Sequence, residues 1–230
     1  MNARRASRGF TLVELLVALF ALALLAIMSW RGLDGMTRAQ SQTEARADEV
    51  LTLQVGLAQW AADLDSIVEL PQSSALDWNG RVLRLTRRGT GSPADGVLVV
   101  AWTRRIVNGS GTWLRWQSPQ VTTRGQLEEQ WLQADTWSLN PGDAEKRAEV
   151  SVTPLDDWQI FYFRENAWTN PQSSDATNVP AAAAPVPPAA RRNVIPDGVR
   201  LVLNLPQGHP ISGILTRDWM RPSIGGNKPA

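Results

Sequence analysis

Arg8-Gly9-Phe10-Thr11-Leu12-Val13-Glu14-Leu15-Leu16 opens an apolar run that continues to Trp30. From Phe10 to Trp30 the run is 21 residues long, and only Thr11, Glu14 and Ser29 interrupt it with polar side chains. As a helix it measures ~31 Å, about the thickness of a bilayer's hydrocarbon core. Arg4, Arg5 and Arg8 stand before it and only Arg31 lies close behind it. The positive-inside rule therefore predicts a single pass, with the N-terminus cytoplasmic and the remainder across the membrane.

Glu14 is the residue out of place, because a carboxylate near hydrocarbon is costly unless something compensates it. Two partners suit it. Cutting between Gly9 and Phe10 would create a free α-amine, charged at neutral pH, which Glu14 of a neighbouring molecule could neutralise. Glu14 could also stabilise the N-terminus of its own helix, where the dipole favours an anion. The two readings are compatible.

Gly9-Phe10-Thr11-Leu12-Val13-Glu14 resembles the class III signal of type IV pilins and type II secretion pseudopilins. The resemblance covers about 30 residues. It implies that a prepilin peptidase cuts after Gly9 and N-methylates Phe10, and that Glu14 contacts a neighbour's amine during assembly. The competing reading is an ordinary secretory signal with Ala21-Leu22-Ala23 as its cleavage site, but that triplet lies inside the apolar run.

The rest of the chain fits one anchor and one domain. With 230 residues and 43% apolar content it can bury a core, and eleven Trp offer large anchors. Net charge is +1; losing Arg4, Arg5 and Arg8 with residues 1–9 lowers the side-chain total by three, to −2. That balance gives no reason to expect a nucleic-acid partner. There is no Cys, so disulfides and thiolate metal sites are excluded.

Beyond Trp30, the segment Arg31-Gly32-Leu33-Asp34-Gly35 predicts a bend or a meltable point, because each helical Gly costs about 1 kcal/mol relative to Ala. A stripe then develops at Ala47, Val50, Leu53, Leu57, Trp60, Leu64 and Ile67. Its alternating spacings of 3 and 4 predict an amphipathic helix with one buried face. Arg46, Asp48, Glu49, Gln59 and Asp63 fill the other face, and Pro71 is expected to end the helix. Continuous helix from Phe10 to Val68 would be ~88 Å long.

Strands follow. Val82–Thr86, Val97–Trp102, Thr112–Gln117, Glu149–Thr153, Trp158–Arg164, Val199–Leu205 and Ile211–Thr216 carry the strand pattern, and Asn108-Gly109 marks a hairpin. Leu127–Leu139 is ambiguous between helix and strand. Pro171–Asn193 has five Pro and no aromatic residue, which predicts a mobile loop, and Pro222–Ala230 predicts a frayed tail. The expected layout is thus a cleaved leader 1–9, a transmembrane segment 10–30, a periplasmic amphipathic helix 31–68, and a β-rich head 72–221 interrupted by 171–193. The last stretch is the tail 222–230. The fold class is α+β, a long helix packed on a β-rich head.

Within this class the chain is similar to the J-type minor pseudopilins of type II secretion. Trp30-Arg31-Gly32-Leu33-Asp34 resembles that family's membrane-exit segment, and Ala62-Asp63-Leu64 its helix end. Trp158–Trp168 with Ile195-Pro196-Asp197-Gly198-Val199-Arg200-Leu201 resembles its late strand pair. The insertion 171–193 departs from the compact form. The resemblance implies a structural subunit at the tip of a short pseudopilus, joined to I-type and K-type partners and initiating assembly for protein export. The alternatives are a minor pilin of a type IV pilus or competence system, and a membrane-anchored periplasmic binding domain.

No catalytic chemistry stands out. There is no Gly-x-Ser-x-Gly elbow, and Gly89–Gly96 lacks the Gly-Lys-Ser/Thr of a phosphate loop. Asp63/Asp65 and Asp156/Asp157 have no EF-hand spacing and are expected to be a solvated helix end and a turn. His209, the only histidine, is expected to be a turn residue without a role. Trp113 and Trp116 are expected to be core or cross-strand packing. The sequence therefore predicts no enzyme, cofactor or metal site, and a bacterial inner-membrane protein.

Overall fold

The computed structural model describes residues 11–71, 73–89, 91, 96–172 and 195–222. Gly9 and Phe10 lie outside them, as does 171–193 except for Pro171 and Gln172, and the tail 222–230 except for Pro222. The first helix, α1 (Leu12–Asp65), is shared between two compact units that divide between Asp48 and Glu49.

In the first unit every residue from Thr11 to Asp48 is exposed. The helix runs through Gly32 and Gly35 without a break, in place of the expected bend. Among the described residues one helix, α1, is long and apolar enough to cross a membrane.

In the second unit α1 meets two antiparallel sheets. The first contains β1 (Leu76–Trp78), β2 (Val82–Arg88), β3 (Val97–Val107), β4 (Ser110–Gln117) and β5 (Glu149–Pro154), in that order. The second contains β6 (Asp157–Arg164), β7 (Ala167–Thr169), β8 (Gly198–Leu205) and β9 (Gly213–Met220), in the order β7-β6-β8-β9. The ambiguous stretch is helical: α2 (Arg124–Leu139) is followed by the short α3 (Asp143–Arg147). These elements make the fold α+β.

Local chemistry explains the connections. Asn108 and Gly109 both have positive φ (51° and 83°), as a two-residue hairpin that matches strand twist requires. Thr123 caps α2 in a capping box: its hydroxyl accepts from Gln126 N at 3.3 Å, and Gln126 Oε1 accepts from Thr123 N at 3.3 Å. Between β5 and β6 the chain changes sheets. Leu155 N–H donates to Gly111 O in the first, and Asp156 N–H to Asn204 O in the second.

The first sheet is covered on both faces. Leu83, Leu85, Val100, Trp102 and Trp113 face a core that contains Leu53, Trp60 and Leu64 of α1 and Trp158, Ile160, Leu201 and Trp219 of the second sheet. Val82, Val99, Ala101, Leu114 and Trp116 face Leu127, Ala134 and Trp137 of α2. Trp113 and Trp116 are thus core residues on opposite faces. Burial on both sides is why β3 opens on an unbroken apolar run, Val97 to Trp102.

α1 ends at Asp65, three residues before Val68 and well before Pro71. The cause is sheet pairing and not proline. Ile67 bridges Arg87, Val68 N–H donates to Thr86 O at 3.0 Å, and Arg88 N–H donates to Ser66 O at 3.0 Å.

Candidate assembly site

The features that bear on assembly begin at the N-terminus of α1. Thr11 occupies the N-cap and Glu14 the third helical position, and the two close a capping box. Thr11 N–H and Thr11 Oγ1 both donate to Glu14 Oε2 at 2.9 Å, while Glu14 N–H donates to Thr11 Oγ1 at 3.3 Å. Within the single chain, then, Glu14 stabilises its own helix end. The carboxylate is exposed there, and so are the apolar residues from Leu12 to Trp30 on either side of it. An apolar surface of that extent needs lipid or sister helices to cover it. Gly9 and Phe10, the expected cleavage and methylation positions, lie outside the described residues.

The second feature is the C-terminal part of α1. Of the expected stripe, Leu53, Trp60 and Leu64 are buried, Val50 and Leu57 are half-buried, and Ala47 is exposed. Gly56 is buried as well. A Cβ added there would lie 2.2 Å from Val152 Cγ1 and 3.5 Å from Trp113, so its missing side chain lets the helix approach β4 and β5.

The reading of Asp63 as part of a solvated helix end is overturned. Asp63 has no exposed surface, and three neighbouring strands converge on it. Its Oδ1 accepts from Arg87 Nη1 on β2, from Arg115 Nη2 on β4 at 2.8 Å and from Gln59 Nε2 at 2.9 Å. Its Oδ2 accepts from Arg115 Nε at 2.8 Å and from Trp102 Nε1 on β3 at 2.9 Å. Five donors saturate a carboxylate that has about four lone-pair sites. A buried charge survives only when paired and hydrogen-bonded in this way. The guanidiniums of Arg87 and Arg115 are themselves mostly buried.

Asp65, two residues on, is exposed but not idle: its Oδ1 accepts from Trp219 Nε1 of β9 at 2.7 Å. The last turn of α1 therefore bonds to the first sheet through Asp63 and to the second through Asp65. His209 sits in a turn, as expected, and is buried there. It is 8% exposed and lies in the β8–β9 connection, with Nε2 3.3 Å from Thr153 Oγ1 of β5. It ties the two sheets together.

On the face of the second sheet away from the core, Arg200 forms a two-pronged ion pair with Asp218 at 2.7 and 2.8 Å. Its guanidinium lies 4.2 Å from the Trp168 ring. The hydrogen bonds to Asp218 raise the Arg200 pKa, and those same bonds hold the Asp218 carboxyl below its ordinary value. On the core side, burial pushes the Tyr162 phenol well above its ordinary range. Among the described residues no three His, Cys, Asp or Glu side chains converge as metal ligands would.

Comparison with known families adds two matches. Residues 4–30 match the prokaryotic N-terminal methylation motif, and residues 31–216 match type II secretion system protein J. A comparison with curated proteins finds no match.

Proposed function

This chain belongs to the protein J family of type II secretion systems, and from that premise we propose that it initiates pseudopilus assembly at the filament tip together with I-type and K-type partners. As a member of that family it is a minor pseudopilin, a structural subunit that associates with other pseudopilins. The match over residues 31–216 is the observation that carries the proposal.

The proposed sequence of events follows from the residues. A prepilin peptidase removes residues 1–9 and methylates Phe10, and the match to the methylation motif supports this step. The apolar segment to Trp30 holds the subunit in the inner membrane, with the head periplasmic as the positions of Arg4, Arg5 and Arg8 favour. Glu14 then exchanges its bonds to Thr11 for the amine of a neighbouring subunit, two polar groups satisfied at the expense of one cap. The family match favours this reading over the pilus and binding-domain alternatives.

The test is co-purification of the processed full chain with the I-type and K-type pseudopilins of the same system, extracted together from membranes. A ternary complex in fixed proportion supports the tip reading. If the chain enters filaments yet binds neither partner, the tip reading is wrong.

A further inference from the structure

We propose that Asp63 is a positioning residue, which selects one rotation and one depth for residues 49–65 of α1 on the first sheet. The apolar contacts of this segment do not make that choice by themselves. Val50, Leu53, Leu57, Trp60 and Leu64 repeat at spacings of 3 and 4, so a slide of one turn puts apolar residues where apolar residues were. Hydrophobic burial is non-directional and separates such settings poorly.

The Asp63 cluster is directional. Its five donors come from Gln59 of the same helix and from Arg87, Trp102 and Arg115 on three adjacent strands. The registers place Leu83, Trp102 and Arg115 in one row across β2, β3 and β4, with Arg87 on the same face. Only one helix setting brings a single carboxylate to all of them. A one-turn slide would move it by about 5.4 Å and strand two arginines in a nearly dry interior. Buried ionic groups replaced together by apolar ones often leave stability intact, so what such a cluster chiefly contributes is choice among alternatives. Since α1 also carries Glu14 and the apolar span, its setting in the head belongs to the assembly function.

The absence of Cys makes the setting measurable by engineered disulfides in the full chain in detergent micelles. An ideal Cβ at position 56 lies 3.6 Å from Val152 Cβ, within the range of a disulfide. Gly56→Cys with Val152→Cys therefore reports the native setting and removes a close approach that also restrains the helix, while the Asp65–Trp219 bond and the pairing of residues 66–68 with β2 stay the same in both chains. Thr52→Cys with Val152→Cys reports a slide of one turn. Both pairs are oxidised in the parent chain and in the combined variant Asp63→Leu, Arg87→Met, Arg115→Met.

The proposal predicts that the combined variant still unfolds cooperatively in urea, although Trp102 Nε1 is left without its acceptor. The ratio of native to shifted cross-link should fall by roughly tenfold or more, the factor for losing one charge-assisted hydrogen bond. A retained ratio overturns the proposal. So does a variant that does not fold, since that makes the cluster a source of stability and not of register.

Discussion

Glu14 and Asp63 show what a single acidic residue can and cannot announce. Glu14 is legible because its surroundings are local: an apolar run, a cleavable glycine and a capping threonine, all within a few positions. Asp63 is not, because Arg87 and Arg115 lie 24 and 52 positions away and only the fold brings them to it. Residue type alone put Asp63 on the wet face, and tertiary pairing put it in the core. For Glu14 the expected outcome of Glu14→Ala is normal cleavage, read as the mature mass, with reduced incorporation into the filament. Incorporation at the level of the unaltered chain would refute the exchange of Glu14 from its cap to a neighbour's amine. Asp218 gives a second prediction at this scale. Its folded pKa is lowered, so the ion pair with Arg200 stabilises the head above the ordinary carboxylate range. That contribution is lost as pH falls through the lowered folded value. The raised pKa of Arg200 acts only far into the alkaline range and adds nothing to the acid window. Urea titrations of the protein and of Asp218→Asn should therefore differ at neutral pH and converge in acid. The difference should also shrink with salt, because both groups are partly exposed. Curves separated equally at both pH values would contradict it.

At the level of elements, alternation and turn chemistry made most strands visible. β1 and β7 are not legible, because three residues each are too few for a period. α2 was ambiguous from its apolar pattern, although Thr123-x-x-Gln126 was a readable helix start. Pro71 marks a later end for α1 than the true one, because the stop is the pairing of residues 66–68 with β2, which no local signal carries. The stripe on α1 was legible, but Gly56 within it was not, since a missing side chain carries no periodicity. Its role yields a prediction: Gly56→Ala should cost about 1–3 kcal/mol through overpacking against Val152. Urea unfolding followed by Trp fluorescence measures it, and an unchanged midpoint would show that the helix and β5 can part without penalty.

For the whole molecule, the sequence carried the division into an apolar anchor and a β-rich head more clearly than the way the head is closed. The second sheet and the C-terminal part of α1 close one face of the first sheet and α2 closes the other, and that arrangement rests on distant pairings, such as Asp65 with Trp219, 154 positions apart. Membership of the protein J family links this architecture to secretion. The most direct test is deletion of the protein in its native host, scoring both protein export to the medium and pilus-driven surface motility. The account predicts exoproteins trapped in the periplasm with motility intact, and restoration of export by the full chain. Normal export with lost motility would contradict it and assign the subunit to a type IV pilus.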